Sequence, residues 1–173
     1  MFRQYLMFVS NTKVLWITFI VMNIIIFGVF TNLPNLDGLV IDTQQSYTHE
    51  KLMLILAEMG EAGRASYLFG NAVDMLYPFF YASFFAGFLY RVRIRESLRF
   101  LSVVPIMLAF IDWGENFQIR AMLHAYPEIS AAQVETASLF SSVKHMLTLT
   151  MLGLFTVTCI FVFVRWLRAR GDN

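Results

Sequence analysis

The stretch Ala109-Phe-Ile-Asp-Trp-Gly-Glu-Asn-Phe117 decides how the chain is read. It is an apolar helical sequence that carries Asp112, Glu115 and Asn116. Positions i, i+3 and i+4 leave one face of an α-helix, so the two acids and the amide point the same way. The chain around them is not built for water: 58% of its 173 residues are apolar, 16% aromatic and 14% charged, with a mean hydropathy of +0.61. A soluble domain carries about 25% charged residues. Two carboxylates on a helix in hydrocarbon are costly and need partners. The predicted fold is an all-α membrane protein, and what those side chains meet becomes the functional question.

Working outward, the segment containing this stretch runs as a third transmembrane helix from about 98 to 122, with Pro105 in its first half. A first span is predicted over about 14–30, broken only by Thr18, Asn23 and Gly28. Its length and the lack of a small-x-small pattern in Phe27-Gly-Val-Phe-Thr31 argue for a retained helix rather than a cleaved signal. Residues 31–60 form an outer loop. Asn32-Leu-Pro-Asn-Leu-Asp-Gly38 holds its turn formers, Thr48 is its helix N-cap, and Leu52, Ile55, Leu56 and Met59 share one helical face. This short amphipathic helix ends at Gly60 and is expected to lie over the outer end of the bundle. A second span over about 61–91 carries a polar stripe of Arg64, Tyr67, Asn71, Asp74, Tyr77 and Tyr81, with steps of three and four residues. Pro78 has no N–H for the Asp74 carbonyl and is expected to kink this helix. A fourth span is predicted over about 136–164, after an acidic segment through Glu135. The result is a single-domain four-transmembrane-helix bundle with a short amphipathic helix on the outer side.

Charge sets the orientation. Nine of the thirteen Lys and Arg lie in the N-terminus, in the turn of Arg91, Arg93, Arg95 and Arg99, and at Arg165, Arg168 and Arg170. An even number of spans puts these regions on one side, and the positive-inside rule makes that side cytoplasmic. A multi-pass protein of the bacterial inner (plasma) membrane with cytoplasmic termini is expected. The same geometry predicts a common depth for the polar residues. At 1.5 Å per residue, Asp74 lies about 25 Å above Arg91, Glu115 and Asn116 about 25 Å above Arg99, and Thr148 about 26 Å above Arg165. Lys144 shares a face with Thr148. A bundle turning these faces inward gathers Asp74, Asp112, Glu115, Asn116 and Lys144 in the outer half of the bilayer, with Arg64, Tyr67 and Tyr77 along the approach. Three carboxyls to one ammonium leave excess negative charge, to be met by protons, a cation, water, or Arg64 or Arg120.

Each polar feature has a plain structural reading. Interhelical hydrogen bonds fix register in membrane bundles, and the cluster serves that purpose if it serves no other. Cys159 lies in an apolar run and reads as a small hydrophobe. His49, His124 and His145 have no i, i+4 histidine partner, and no Glu-x-x-His pair occurs, so neither a metal nor a cofactor is expected. The arginine turn reads as a topology anchor that touches anionic lipid, and nucleic acid is not an expected partner.

Three functions remain open on these residues. One is binding of a lipid headgroup, small ligand, cation or proton by the polar cluster. One is an intramembrane hydrolase in which Asp74 and Asp112 share a proton and activate water. The third is an accessory subunit that meets another membrane protein, or a second copy of itself. Phe69-Gly-Asn-Ala-Val-Asp74 resembles, over a few residues, the Gly-Asn-x-x-Asp signature of lipoprotein signal peptidases. Position 75 is Met where that family has Arg, and Phe110-Ile-Asp-Trp113 stands where a second Asn-x-Ala-Asp motif is required. The pattern Gly60-x-x-Gly63-Arg64-x-x-Tyr67-Leu68, Asp74-x-x-Tyr77-Pro78 and Asp112-x-x-Glu115-Asn116 is similar to that of uncharacterised small four-span bacterial membrane proteins, a likeness that implies the fold and no activity.

Overall fold

A computed structural model describes residues 1–36, 39–92 and 96–171. Arg93 and Arg95 of the basic turn, and Asp37 and Gly38 of the outer loop, lie outside the described residues. Among those described, the chain is helical: α1 (Phe2–Val9), α2 (Thr12–Gly28), α3 (His49–Glu58), α4 (Gly60–Asp74), α5 (Tyr77–Val92), α6 (Val104–Ala125) and α7 (Ala131–Gly171), with 3-10 turns at Phe30–Asn32, Ile41–Thr43 and Glu96–Val103. Three helical stretches are long and apolar enough to cross a membrane: Thr12–Asn32, Gly60–Val92 and Ala131–Arg170. Helix α6 has 22 residues but is interrupted by Asp112, Glu115 and Arg120, and it is not among the three.

Several boundaries differ from expectation for identifiable reasons. The basic N-terminus is itself helical. Its Leu6 and Val9 pack against Ala86 and Tyr90 of α5. The second span is broken at Met75–Leu76 into α4 and α5 because Pro78 withholds an N–H from the Asp74 carbonyl. The third helix begins as a 3-10 turn, and Pro105 falls in the first turn of α6, where a missing N–H costs nothing. The fourth helix starts at Ala131, not 136, because the Ser130 hydroxyl accepts the N–H of Gln133. It runs 41 residues, about 60 Å and twice the bilayer's hydrocarbon thickness.

Packing divides the interior into an outer and a middle layer. The outer layer joins Leu52, Leu56 and Met59 to Ile119, Met122 and Val134, so α3 lies across the ends of α6 and α7. The Thr48 hydroxyl caps α3 through the Lys51 N–H, and Gly60, at φ +61°, turns the chain into α4. The middle layer joins Met22 of α2, Tyr81 and Phe85 of α5, Leu108 of α6 and Met151 of α7. Large apolar side chains are exposed around the outside, including Ile24 and Phe27 of α2, Phe110 and Phe117 of α6, and Leu149 of α7. Helix α2 packs on α5 and α7 on α6, whereas α2 and α7 are not a closely packed pair.

Candidate functional site

The polar residues of α6 meet two different environments. The first is the seam with α7. Gly114 has no side chain, and a Cβ there would stand 2.3 Å from the Phe140 ring. Phe140 therefore lies against the α6 backbone, and one turn later Lys144 reaches the acids. Its Nζ is 3.3 Å from Asp112 Oδ1 and also pairs with Glu115 Oε2. The other oxygens are engaged too: Tyr81 donates its hydroxyl to Asp112 Oδ2 at 2.9 Å, and Ser141 donates to Glu115 Oε1. Glu115 is fully buried. Two acids share one ammonium, and hydroxyls from α5 and α7 complete the set.

The second environment faces α4. The break before Pro78 frees two carbonyls, and α6 takes both. Asn116 Nδ2 donates to the Asp74 carbonyl at 3.3 Å, and Trp113 Nε1 donates to the Met75 carbonyl at 2.9 Å. Asn71 donates from Nδ2 to the Asn116 carbonyl at 3.1 Å. Its Oδ1 is buried without a hydrogen-bond partner. The buried Asp74 lines two cavities. The larger, about 430 Å³, is bounded by Asp74, Tyr77, Tyr81, Asp112, Lys144 and Thr148 at its polar end and by Met22, Ile26, Phe85, Leu108, Met151 and Leu152 at its apolar end. The smaller, about 210 Å³, is lined by Tyr67, Asn71, Asp74 and Asn116 and by loop residues Leu33, Leu36, Val40, Asp42 and Thr43. Phe30, Asp42 and Asp74 line both.

Asp42 lines both cavities, and helical periodicity did not reach it. It lies in the 3-10 turn Ile41–Thr43. The Tyr67 hydroxyl donates to Asp42 Oδ1 at 2.9 Å and accepts from the Asp42 N–H at 3.2 Å. The loop is strapped further along, where Ser142 donates to the Gln45 carbonyl and Ser138 accepts from the Tyr47 N–H. Tyr47, in this strap, has its hydroxyl pushed up to about 12 by burial. A loop residue has no sequence period, and the segment is docked by the buried Leu36, Ile41 and Tyr47 side chains around it.

The structure gathers Asp112, Glu115 and Lys144 at one point and brings Asp74 and Asn116 together at another. Tyr67, Tyr77 and Thr148 line the cavities, Thr148 while donating to the Lys144 carbonyl at 2.8 Å. Arg64 lines neither of these two cavities. Its guanidinium donates to the Leu56 carbonyl at 2.7 Å and lies 4.5 Å above the Tyr126 ring. The free carbonyls at the end of α3 draw it away from the expected approach. His145 is bonded to the Ser141 carbonyl and His49 to the Ile129 carbonyl. Among the described residues, no three His, Cys, Asp or Glu side chains lie close enough together to hold a metal ion. The chain matches no known family model, no curated protein and no solved structure.

Proposed function

We propose that the chain is a four-span membrane protein that binds a lipid or lipid-like small molecule in the outer half of the bilayer. Helix α6, third in chain order, is the span that completes the four. Its 22 residues reach about 33 Å, enough for the hydrocarbon layer. Its polar face is turned inward, while Met107, Phe110 and Phe117 on its other side are more than half exposed and apolar. With four spans, the arginine-rich ends fall together on the cytoplasmic side, as in a bacterial inner-membrane protein related to the uncharacterised four-span group.

The observation that carries the binding reading is the larger cavity. It has carboxyls, hydroxyls and an ammonium at one end and aliphatic and aromatic side chains at the other, and its size falls within the usual range for small-molecule sites. A network that only fixed helix register would close on itself, whereas here the cavity lies directly beside the Lys144 seam and is bounded by Lys144 and Asp112 themselves. The hydrolase reading is weaker because Asp112 commits one oxygen to Tyr81 and the other to Lys144. The test is native mass spectrometry of the full chain purified in mild detergent. A bound amphiphile is expected to leave as one discrete mass per chain. Ile26→Trp, which fills the cavity from its half-buried wall on α2, is expected to lose that mass while keeping its helical circular dichroism. A wild-type chain with no adduct, or an Ile26→Trp chain with the same adduct, contradicts the proposal.

A further inference from the structure

Resting on that binding reading, we propose that the occupant carries an ammonium group on an alkyl chain. Asp42, Asp74 and the Asn71 amide oxygen receive the ammonium where the two cavities adjoin, and the chain lies along the apolar end of the larger one. The first observation is Asn71. Its side chain is 4% exposed, it lines the smaller cavity, and its Oδ1 has no donor. The amide orientation is fixed by its surroundings, since Nδ2 faces the Asn116 carbonyl and only an N–H can serve that acceptor. A buried acceptor without a donor is destabilising, and a ligand that donates to it removes that cost.

The second observation is the charge beside it. Asp42 and Asp74 line both cavities, and among the described residues neither forms an ion pair with Lys or Arg. Three acceptors, two of them carboxylates, select a group that only donates. An ammonium has three N–H donors and no lone pair. A hydroxyl headgroup brings one donor, and a carboxylate or phosphate headgroup finds the one ammonium on the cavity wall, Lys144, already shared by Asp112 and Glu115. Among the described residues no three His, Cys, Asp or Glu side chains form a metal-holding group, and two carboxyls with one amide oxygen suit an ammonium better than a divalent cation. The third observation is the apolar end. Met22 and Ile26 of α2 and Met151 and Leu152 of α7 line the larger cavity, and an alkyl chain among them continues the apolar cluster that Met22 and Met151 already share.

The experiment is thermal unfolding of the full chain in detergent with three probes at matched concentrations: dodecylammonium, dodecanol and butylammonium. A ligand that binds only the folded state raises Tm with its concentration. Dodecylammonium is expected to raise Tm the most. Asp74→Asn is expected to weaken its apparent affinity about ten-fold or more, the loss of a charge-assisted hydrogen bond. Asp42→Asn gives the same reading if Asp74→Asn does not fold. Equal shifts from dodecanol and dodecylammonium, unchanged in Asp74→Asn, overturn the ammonium and leave the alkyl pocket standing. An equal shift from butylammonium overturns the chain. No shift from any probe, together with no adduct by mass spectrometry, overturns both this inference and the binding reading beneath it.

Discussion

The two faces that α6 turns inward use the same residue types to opposite ends. Toward α7, Asp112 and Glu115 share the Lys144 ammonium, with Tyr81 and Ser141 supplying hydroxyls. Toward α4, Asp74, Asp42 and Asn71 look onto cavities, and the hydrogen bonds of Asn116 and Trp113 go to the backbone instead. Both faces border the larger cavity, through Asp112 and Lys144 on one side and Asp74 and Asp42 on the other. What separates them is the cation: Asp112 has one and Asp74 does not. In the proposed reading an acid is therefore assigned by what faces it, not by its presence on a helix. A carboxyl with a fixed cation and hydroxyls is read as structural, and one on the same cavity without a cation as functional.

Breaking the face toward α7 has the largest expected effect. Lys144→Met leaves Asp112 and Glu115 buried without their cation and is expected to cost about 3–5 kcal/mol. Thermal unfolding in detergent reads this as a large drop in Tm. Adding Glu115→Gln to Lys144→Met is expected to recover part of the loss, and no recovery would show that Lys144 acts through something other than charge. Next comes the contact that sets the seam. Gly114→Val drives a branched side chain into the Phe140 ring and is expected to cost about 1–3 kcal/mol, measured the same way, with ligand binding weakened only in proportion. A smaller effect is expected for Tyr81→Phe, which removes one hydrogen bond to Asp112 while keeping the ring's contact with Tyr77, about 1 kcal/mol.

The smallest effect concerns the strap that carries Asp42. Burial raises the Tyr47 hydroxyl to about 12 from an unfolded value near 10. The folded state then holds a proton that the unfolded state releases. Stability from this group is complete below pH 10 and falls as pH rises from 10 toward 12. Other tyrosines and lysines titrate in the same window, so the informative quantity is the difference between the wild-type chain and Tyr47→Phe. The hydroxyl is buried without a hydrogen-bond partner, so Phe costs little there, and the wild-type curve is expected to fall away below that of Tyr47→Phe as pH rises through this window. Parallel curves would place Tyr47 in water and loosen the strap.

The helices and much of the face toward α7 were legible in the sequence because both follow the helical period. Asp112, Glu115 and Asn116 share a face by spacing, as do Lys144 and Thr148, and arginine anchors give their depth. Pro78 announced the break in the second span and the free carbonyls beside Asp74. Pairing was not legible. Nothing in the spacing says that Lys144 chooses Asp112 and Glu115 over Asp74, because that choice rests on Gly114 letting Phe140 approach. Asp42 was missed because a loop residue has no period, and its position depends on a tyrosine 25 residues away. The partner of Arg64 was not legible, because sequence shows its charge but not the α3 carbonyl that it meets. The early start of α7 was missed because the acids before 136 read as a loop, although Ser130 caps a helix there.

The central claim is that Asp74 serves a ligand while Asp112 serves the fold. Thermal unfolding of Asp74→Asn beside Asp112→Asn, in the same detergent and without added ligand, tests it most directly. A buried carboxyl with no paired cation costs free energy, so Asp74→Asn is expected to leave Tm unchanged or raise it. Asp112→Asn weakens bonds to both Tyr81 and Lys144 and is expected to lower stability by about 2–3 kcal/mol. Equal loss in the two variants, or a larger loss in Asp74→Asn, would contradict the account and make the face toward α4 part of the fold.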